Sequence, residues 1–296
     1  MSAPTRASTA GRAYLDLRNL ARANQRPVDE LQQLYILEAF LLRLTHSQFA
    51  DRLVLKGGIL LAAFNERRPT RDIDLQAQAI ENTVDAVRRT VCEIAAITLD
   101  DGVVFEIADA IAEVIRDEET YTGVRVAMSA QLATARPRFR VDINVGDPVS
   151  PAPEIVRLPR LLGGEIPMRA YTLPTIYAEK IATAIDRGTV NTRWRDFADI
   201  YLLCGRHAVD GTKLVRSIQS VVAHRQVLLV PLANVLAGYG EIGQERWIAW
   251  RRRQLLEDRL PQQFAEVISA VTDFADPAIT GTAMDRTWDP TTGTWA

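Results

Sequence analysis

Residues Leu53–Leu75, LVLKGGILLAAFNERRPTRDIDL, give the clearest indication of the fold. It predicts a short apolar strand, a turn at Gly57-Gly58, an apolar helical segment, a basic loop and a second strand. Glycines let the backbone approach a bulky anion closely, and a helix that begins just after them directs unpaired N–H groups at that anion. The Gly-Gly turn therefore predicts a phosphate-binding site.

The second strand of this stretch carries Asp72-Ile73-Asp74. Because side chains alternate along a strand, Asp72 and Asp74 are expected on one face and Ile73 on the other, in the core. Two aligned carboxylates favour a divalent-metal site, since Mg²⁺ commonly binds one or two protein carboxylates together with substrate phosphates. Taken alone, a Gly-Gly pair is usually a turn and an Asp-x-Asp is common on solvated strand edges. Both at this spacing favour a functional site.

A Gly-Gly turn followed by Asp-x-Asp resembles the signature of the nucleotidyltransferase superfamily. With Lys56 before the glycines and Arg68 and Thr70 before the carboxylates, the chain most resembles the AbiEii toxins of type IV toxin–antitoxin systems. The resemblance implies an α/β (α+β) fold, with a mixed twisted sheet, flanking helices and a helical C-terminal half. It also implies an NTP as co-substrate, Mg²⁺ or Mn²⁺ as cofactor, and NTP binding by Lys56, Gly57, Gly58 and Thr70.

A third carboxylate is expected on the strand that residues 138–145 predict, RFRVDINV. Nucleotidyltransferases commonly carry such a group beside the Asp-x-Asp strand, as general base or as part of the metal site. Asp142 matches that place in the chain order, and Asp147 is a weaker candidate. The alternative is that Asp142 is an exposed residue paired with Arg140.

Two further candidates follow the predicted sheet: Lys180 in Glu179-Lys180, and Asp196 in Arg195-Asp196. By resemblance to the AbiEii family, Lys180 contacts the triphosphate and Asp196 belongs to the active centre. Lys180 could instead lie on a solvated helix face, but its apolar neighbours mean that its ammonium group needs an anionic partner or a site. Asp196 could simply form an ion pair between helices.

Lysine is rare in this chain, because only Lys56, Lys180 and Lys213 occur among 35 lysine and arginine residues. The formal net charge of −2 gives no global basic field, so nucleic acid would have to bind a local patch. Residues Arg246–Arg253, on a helix predicted at about 244–259, interleave two tryptophans with arginines and are a candidate patch. Its tryptophans could equally belong to the core, and its arginines to a solvated face.

The chain of 296 residues, 47% of them hydrophobic, is long enough for one large or two small globular domains. We expect a nucleotidyltransferase-like domain with N-terminal helices at 1–150 and a helical domain that completes the active site at 151–275. A connector rich in proline and glycine is predicted at 148–164, and a loosely ordered tail at 276–296. No apolar run reaches the roughly 18 residues of a membrane span, so we expect a cytoplasmic protein without a membrane partner.

By resemblance, the protein moves a nucleoside monophosphate from an NTP to RNA, with the 3′ end of tRNA as the expected acceptor. Such a transfer would block translation, and a separately encoded antitoxin would restrain it. Two alternatives remain open: an antibiotic-type nucleotidyltransferase, and a relative that only binds. The first would need an acidic pocket, which the C-terminal half does not suggest. Intact Gly57, Gly58, Asp72 and Asp74 argue against the second.

Overall fold

In a computed structural model of the chain, the described residues are 3–81, 83–117, 121–145 and 148–296. The chain divides into two compact units. The first comprises Met1–Gly146 and Pro153–Tyr171, and the second comprises Asp147–Ala152 and Thr172–Ala296.

The first unit is a seven-stranded mixed sheet with flanking helices, which confirms the expected α/β class. Its helices are α1 Thr9–Ala23, α2 Val28–Thr45, the one-turn α3 Gly57–Leu60, which continues as a 3₁₀ turn Leu61–Phe64, and α4 Val84–Ala95. Its strands are β1 Leu53–Lys56, β2 Asp72–Ala77, β3 Val103–Asp117, β4 Tyr121–Leu132, β5 Arg138–Asn144, β6 Glu154–Pro159 and β7 Glu165–Ala170. The strand order is β3-β4-β5-β2-β1-β7-β6. Strand β2 runs antiparallel to β1 and parallel to β5, so it lies in the middle of the sheet.

Helix α2 lies in the core of this unit, and most of its residues are buried. Its Phe40 contacts Phe105 of β3 and Phe139 of β5 with ring centroids 6.0 and 5.8 Å apart. Its Arg43 is buried as well, and it is neutralised by Asp101 at 2.6 Å. The ring contacts hold α2 against the sheet. The charge of Arg43 is tolerated in the core because Asp101 pairs with it.

The expectation of a connector at 148–164 is wrong for most of that stretch. Strands β6 and β7 form an antiparallel hairpin, and β7 pairs in parallel with β1 through Ala170 and Leu55. Gly163 and Gly164, which suggested a linker, have positive φ angles of 94° and 82° in the turn between β6 and β7. The first unit therefore extends to Tyr171, beyond the expected boundary at 150.

Strand β3 is the longest of the sheet and is continuous over Val103–Asp117. Its register against β4 shifts between Glu106 and Ile111. Such an irregularity locally breaks the alternation of side chains along the strand.

The second unit is mainly helical, as expected. Its helices are α5 Leu173–Arg187, α6 Trp194–Cys204, α7 Gly211–Arg225, α8 Leu232–Val235, α9 Tyr239–Arg253 and α10 Phe264–Ile279. A small sheet has the order β10-β9-β8, with β8 Val209–Asp210, β9 Thr287–Asp289 and β10 Thr294–Trp295. An aromatic cluster of Trp194, Phe197, Tyr239 and Phe264 joins α6, α9 and α10.

The expectation of a loosely ordered tail at 276–296 is also wrong. Trp288 and Trp295 both contact the ring of Phe274, with centroids 5.0 and 5.6 Å away. The indole N–H of Trp288 donates to the carbonyl of Cys204 at 2.7 Å. The proline and glycine content of this stretch suggested a loose tail, but its two tryptophans pack against Phe274 and hold it in place.

Within the part of the chain that the structure describes, no helix is both long and apolar enough to cross a membrane.

Candidate active site

Gly57 begins α3 directly beside the carboxylate of Asp74. Its φ angle is +71°, a conformation that residues with a side chain rarely adopt. A Cβ atom built on Gly57 would lie 1.9 Å from Oδ2 of Asp74, so a larger residue would displace that carboxylate. Glycine at this position is therefore required both by the backbone angle and by contact with Asp74.

The second glycine contacts a different group. A Cβ atom built on Gly58 would lie 3.0 Å from Nη2 of Arg68, whose guanidinium group lies over the start of α3. Because α3 is only one turn long, its dipole contributes less than that of a full helix. The positive charge at this turn comes in part from Arg68.

The basic loop between the 3₁₀ turn and β2 is anchored in the core by Arg67. Its Nη1 donates to Oε1 of Glu38 at 2.7 Å, and its Nη2 donates to the carbonyl of Pro159. Glu38 is fully buried, and burial raises its pKa although Arg67 opposes the rise. The loop anchored in this way leads directly into the first residue of β2.

Four charged residues form one row across neighbouring strands: Lys56 on β1, Asp74 on β2, Asp142 on β5 and Arg125 on β4. Directly opposed residues of paired strands project from the same face of a sheet. The row reads positive, negative, negative, positive. The expectation that Asp142 lies on the strand beside Asp-x-Asp is confirmed by the register of Asp74 with Asp142.

Asp142 pairs with Arg125 rather than with Arg140. Nε and Nη2 of Arg125 donate to the two oxygens of Asp142 at 2.8 and 2.7 Å, a bidentate pair. This hydrogen-bonded carboxylate, aided by the charges of Asp72 and Glu113, raises the pKa of Arg125 further above its ordinary value. Arg140 instead lies opposite Asp72, with 3.6 Å between Nη1 and Oδ1.

Arg125 is the residue of this row that sequence reasoning missed. The available signal was a single arginine inside the apolar run of β4, Val124-Arg125-Val126. A charged side chain on a central strand needs a partner, but only the strand order shows that the partner is Asp142.

Thr70 lies at the end of the basic loop, where its hydroxyl donates to the carbonyl of Asp72 at 3.2 Å. Lys56 is buried, and its ammonium nitrogen lies 5.3 Å from the ring centroid of Tyr171 on its face. Of these two predicted NTP-binding residues, Thr70 therefore lies in the loop before β2 and Lys56 lies on the neighbouring strand β1.

The second unit holds the other two predicted residues, Lys180 on α5 and Asp196 on α6. Nζ of Lys180 donates to Asp196 and to Asp199 at 2.8 Å each, and Nε of Arg193 lies 2.8 Å from Asp196. Burial favours a higher pKa for Asp196, but the charges of Lys180 and Arg193 outweigh it and hold the pKa well below its ordinary value. The alternative of an ion pair between helices is thus present in the structure.

Lys180 does not lie on a solvated helix face, because only 14% of its side chain is exposed. Asp199, its second partner, was not among the predicted site residues. Its spacing of three from Asp196 on a helix was the available signal, since residues i and i+3 share a face.

A family model described as nucleotidyl transferase AbiEii toxin, type IV TA system, matches residues 39–279. The chain belongs to the AbiEii family. The match covers the greater part of both units and each candidate residue named above. The sequence resemblance to this family is thereby confirmed.

Two solved structures are similar to this AbiEii-family chain. The crystal structure of JHP933 from Helicobacter pylori has a TM-score of 0.49 and 13% identity, and the match covers 86% of this chain and 95% of that chain. A crystal structure described as a candidate nucleotidyltransferase from H. pylori has a TM-score of 0.48 and 13% identity, with 86% and 97% covered. No curated protein matches the chain.

Nucleotidyltransferases generally use a divalent metal, and the donor chemistry of β2 suits one. Asp72 and Asp74 offer only carboxylate oxygens, the ligands that Mg²⁺ and Mn²⁺ prefer. Among the described residues, no group of three or more His, Cys, Asp and Glu side chains is arranged to hold a metal ion. Asp142, the carboxylate opposite Asp74 in the row, is instead bound by Arg125. Two carboxylates plus substrate phosphates are a usual Mg²⁺ set, so the residues fit. Asp147 lies outside the described residues.

Proposed function

We propose that this AbiEii-family chain transfers a nucleoside monophosphate from an NTP to a hydroxyl group of RNA, with the 3′ end of tRNA as acceptor. The observation that carries the proposal is the row of Asp74 and Asp142 on adjacent strands, with Gly57 packed against Asp74. A glycine turn, two alternating carboxylates and a third carboxylate next to them form the set of groups that phosphoryl transfer requires.

Asp72 and Asp74 would hold Mg²⁺ or Mn²⁺, which supplies charge neutralisation for the triphosphate when it is bound. Gly57 and Gly58 are proposed to bring the backbone of the turn close to the phosphates, and a side chain at either position would meet Asp74 or Arg68. Lys56, Thr70 and Lys180 are proposed to bind the NTP, and Asp196 to hold Lys180 in place. In this reading, catalysis comes mainly from positioning and electrostatics.

Asp142 is proposed to orient the acceptor hydroxyl and to receive its proton. Both of its oxygens already accept from Arg125, but a carboxylate has about four lone-pair sites, so each oxygen can accept one more hydrogen bond. The hydroxyl oxygen forms a bond to the α-phosphorus, the bond from that phosphorus to the bridging oxygen breaks, and pyrophosphate leaves. The proton passes to Asp142 and then to solvent.

Transfer to tRNA would arrest translation, so we propose that the protein acts as a toxin in the cytoplasm. The family supports a type IV toxin–antitoxin system, and therefore a separately encoded antitoxin partner.

The test is incubation of the purified protein with each labelled NTP and total RNA, in the presence of Mg²⁺ or Mn²⁺. We expect label in a tRNA-sized band, release of pyrophosphate and loss of both when EDTA is added. Asp72→Asn and Asp74→Asn should remove transfer, because an amide keeps the shape of the side chain without the charge. Asp109→Asn is a matched control, since Asp109 is an exposed carboxylate on β3. Full activity of Asp74→Asn, or label in small molecules alone, would contradict the proposal.

A further inference from the structure

One face of α9 presents Arg246, Trp250 and Arg253, at positions i, i+4 and i+7 of the helix. Residues at this spacing lie above one another on a helix surface. Both arginines are exposed and Trp250 is partly exposed. We call these three residues the α9 stripe.

The indole ring of Trp250 is fixed from beneath. It stacks on the ring of Trp247 with centroids 5.3 Å apart and an angle of 26° between the planes. Trp247 is fully buried, stacks on Phe264 at 4.9 Å and donates its N–H to the carbonyl of Pro261 at 3.0 Å. Trp250 is therefore the outermost ring of a stack that begins in the core, which makes it a rigid platform.

The two arginines of the α9 stripe differ from the adjacent Arg251 and Arg252 in the groups that they contact. Arg252 lies 3.6 Å from Glu257, and Arg251 donates to the carbonyl of Leu260. Neither Arg246 nor Arg253 has a carboxylate within 4.0 Å in the described part of the chain. A basic last turn is favourable at any helix C-terminus, but that does not account for Arg246 one turn before the tryptophan.

We propose that the α9 stripe binds single-stranded RNA, with a base stacked on Trp250 and the flanking phosphates held by Arg246 and Arg253. The two arginines are separated by about 10 Å along the helix axis, at 1.5 Å per residue, and the ring lies between them. Base stacking on an aromatic ring combined with cationic contacts is how proteins hold single strands without reading their sequence. An acidic peptide would use the arginines but would gain nothing from the flat ring. This inference rests on the proposed function, since the RNA would be the acceptor strand.

The experiment measures binding of a fluorescein-labelled single-stranded RNA oligonucleotide to the full-length protein by anisotropy, as a function of salt. We expect Trp250→Leu to weaken binding about tenfold, the loss typical of one stacked base. Arg246→Gln and Arg253→Gln should each weaken binding and lower the slope of log Kd against log salt by about one. Arg216→Gln is the matched control, because Arg216 is an exposed arginine on α7 of the same unit. Circular dichroism checks that each variant is folded.

The outcomes separate this inference from the proposed function. The inference would be overturned if Arg246→Gln, Arg253→Gln and Trp250→Leu bound the oligonucleotide with the same Kd as Arg216→Gln. It would also be overturned if Trp250→Leu weakened the binding of duplex RNA equally. Asp72→Asn should bind the oligonucleotide as the unmodified protein does. If RNA binding depended on the α9 stripe but the protein transferred no nucleotide from any NTP, the proposed function would be contradicted and the inference about the α9 stripe would stand.

Discussion

The carboxylate of Asp142 is held by the guanidinium group of Arg125 through two hydrogen bonds, at 2.8 and 2.7 Å. Only 6% of Asp142 is exposed, and it lies directly opposite Asp74 on the neighbouring strand. A planar fork that binds both oxygens fixes the direction of a carboxylate as well as its charge. Arg125 is therefore a positioning residue for the carboxylate of Asp142.

Replacing Arg125 should affect stability and activity in separable ways. Arg125→Gln leaves the buried charge of Asp142 without its cation, and we expect the free energy of unfolding to fall by about 2 kcal/mol. The double variant Arg125→Gln/Asp142→Asn should recover most of that loss in urea unfolding, because no charge is then left unpaired. It should stay as inactive as Asp142→Asn alone. Arg125→Lys should lie between the unmodified protein and Arg125→Gln in kcat.

The control for these variants is Arg138→Gln, an exposed arginine at the start of β5, which should change neither quantity. If Arg125→Gln retained full kcat while it lost stability, the pair would be structural only, and Asp142 would not depend on it for its role.

Gly57 offers a test of the contact between the turn and Asp74. In Gly57→Ala the new methyl group meets Oδ2 of Asp74 at 1.9 Å, in addition to the strain of a residue with φ of +71°. Gly164→Ala is the matched control, because φ there is +82° and no atom lies within 4 Å of the built Cβ. Each should lose roughly 1 kcal/mol of stability from backbone strain. Only Gly57→Ala should lose at least about tenfold in kcat/KM. Equal kcat/KM values for Gly57→Ala and Gly164→Ala would mean that activity does not depend on the position of the Asp74 carboxylate.

The local pattern of the chain predicted the elements that carry the site. The period of two along β2 placed Asp72 and Asp74 on one face, and the glycines marked the change of direction at the start of α3, because both signals act over a few residues. The apolar surroundings of Lys180 indicated an anionic partner, and the structure supplies Asp196 and Asp199.

Relations between distant strands could not be predicted in the same way. Arg125 is a partner of Asp142 only because β4 and β5 pair in one particular register, which depends on the whole sheet. The β6–β7 hairpin was hidden for a related reason. Its glycines form a hairpin turn, and such a turn has the same composition as a linker until β7 is known to pair with β1.

The lysines provide a further prediction. Lys180 makes two short hydrogen bonds with buried carboxylates, and a larger planar guanidinium cannot reproduce the geometry of a point donor there. We expect Lys180→Arg to lose at least roughly tenfold in kcat/KM for the NTP, which is about 1.4 kcal/mol of transition-state stabilisation. Lys180→Ala should lose more activity, and about 3 kcal/mol of stability, because the buried carboxylates of Asp196 and Asp199 lose the ammonium group that they share, although Asp196 retains Arg193.

Lys213→Arg is the control, since Lys213 is exposed in the first turn of α7 and should tolerate the exchange. Equal kinetics for Lys180→Arg and Lys213→Arg, with both proteins folded by circular dichroism, would leave Lys180 as a link between α5 and α6 and remove its role in NTP binding.

The same cluster predicts a dependence of stability on acid. Burial alone would raise the pKa of Asp196, but Lys180 and Arg193 hold it well below its ordinary value of about 3.9. A carboxyl group whose pKa is lower in the folded state adds stability that is fully present above the unfolded pKa and is lost as the pH falls below it. Asp196→Asn should therefore be less stable than the unmodified protein at pH 6, and the difference in urea midpoint should shrink towards pH 3. Asp186→Asn, which alters an exposed carboxylate on α5, should give a curve parallel to that of the unmodified protein. A difference for Asp196→Asn that stayed constant from pH 6 to pH 3 would mean that the ion pairs do not set the ionisation of this residue.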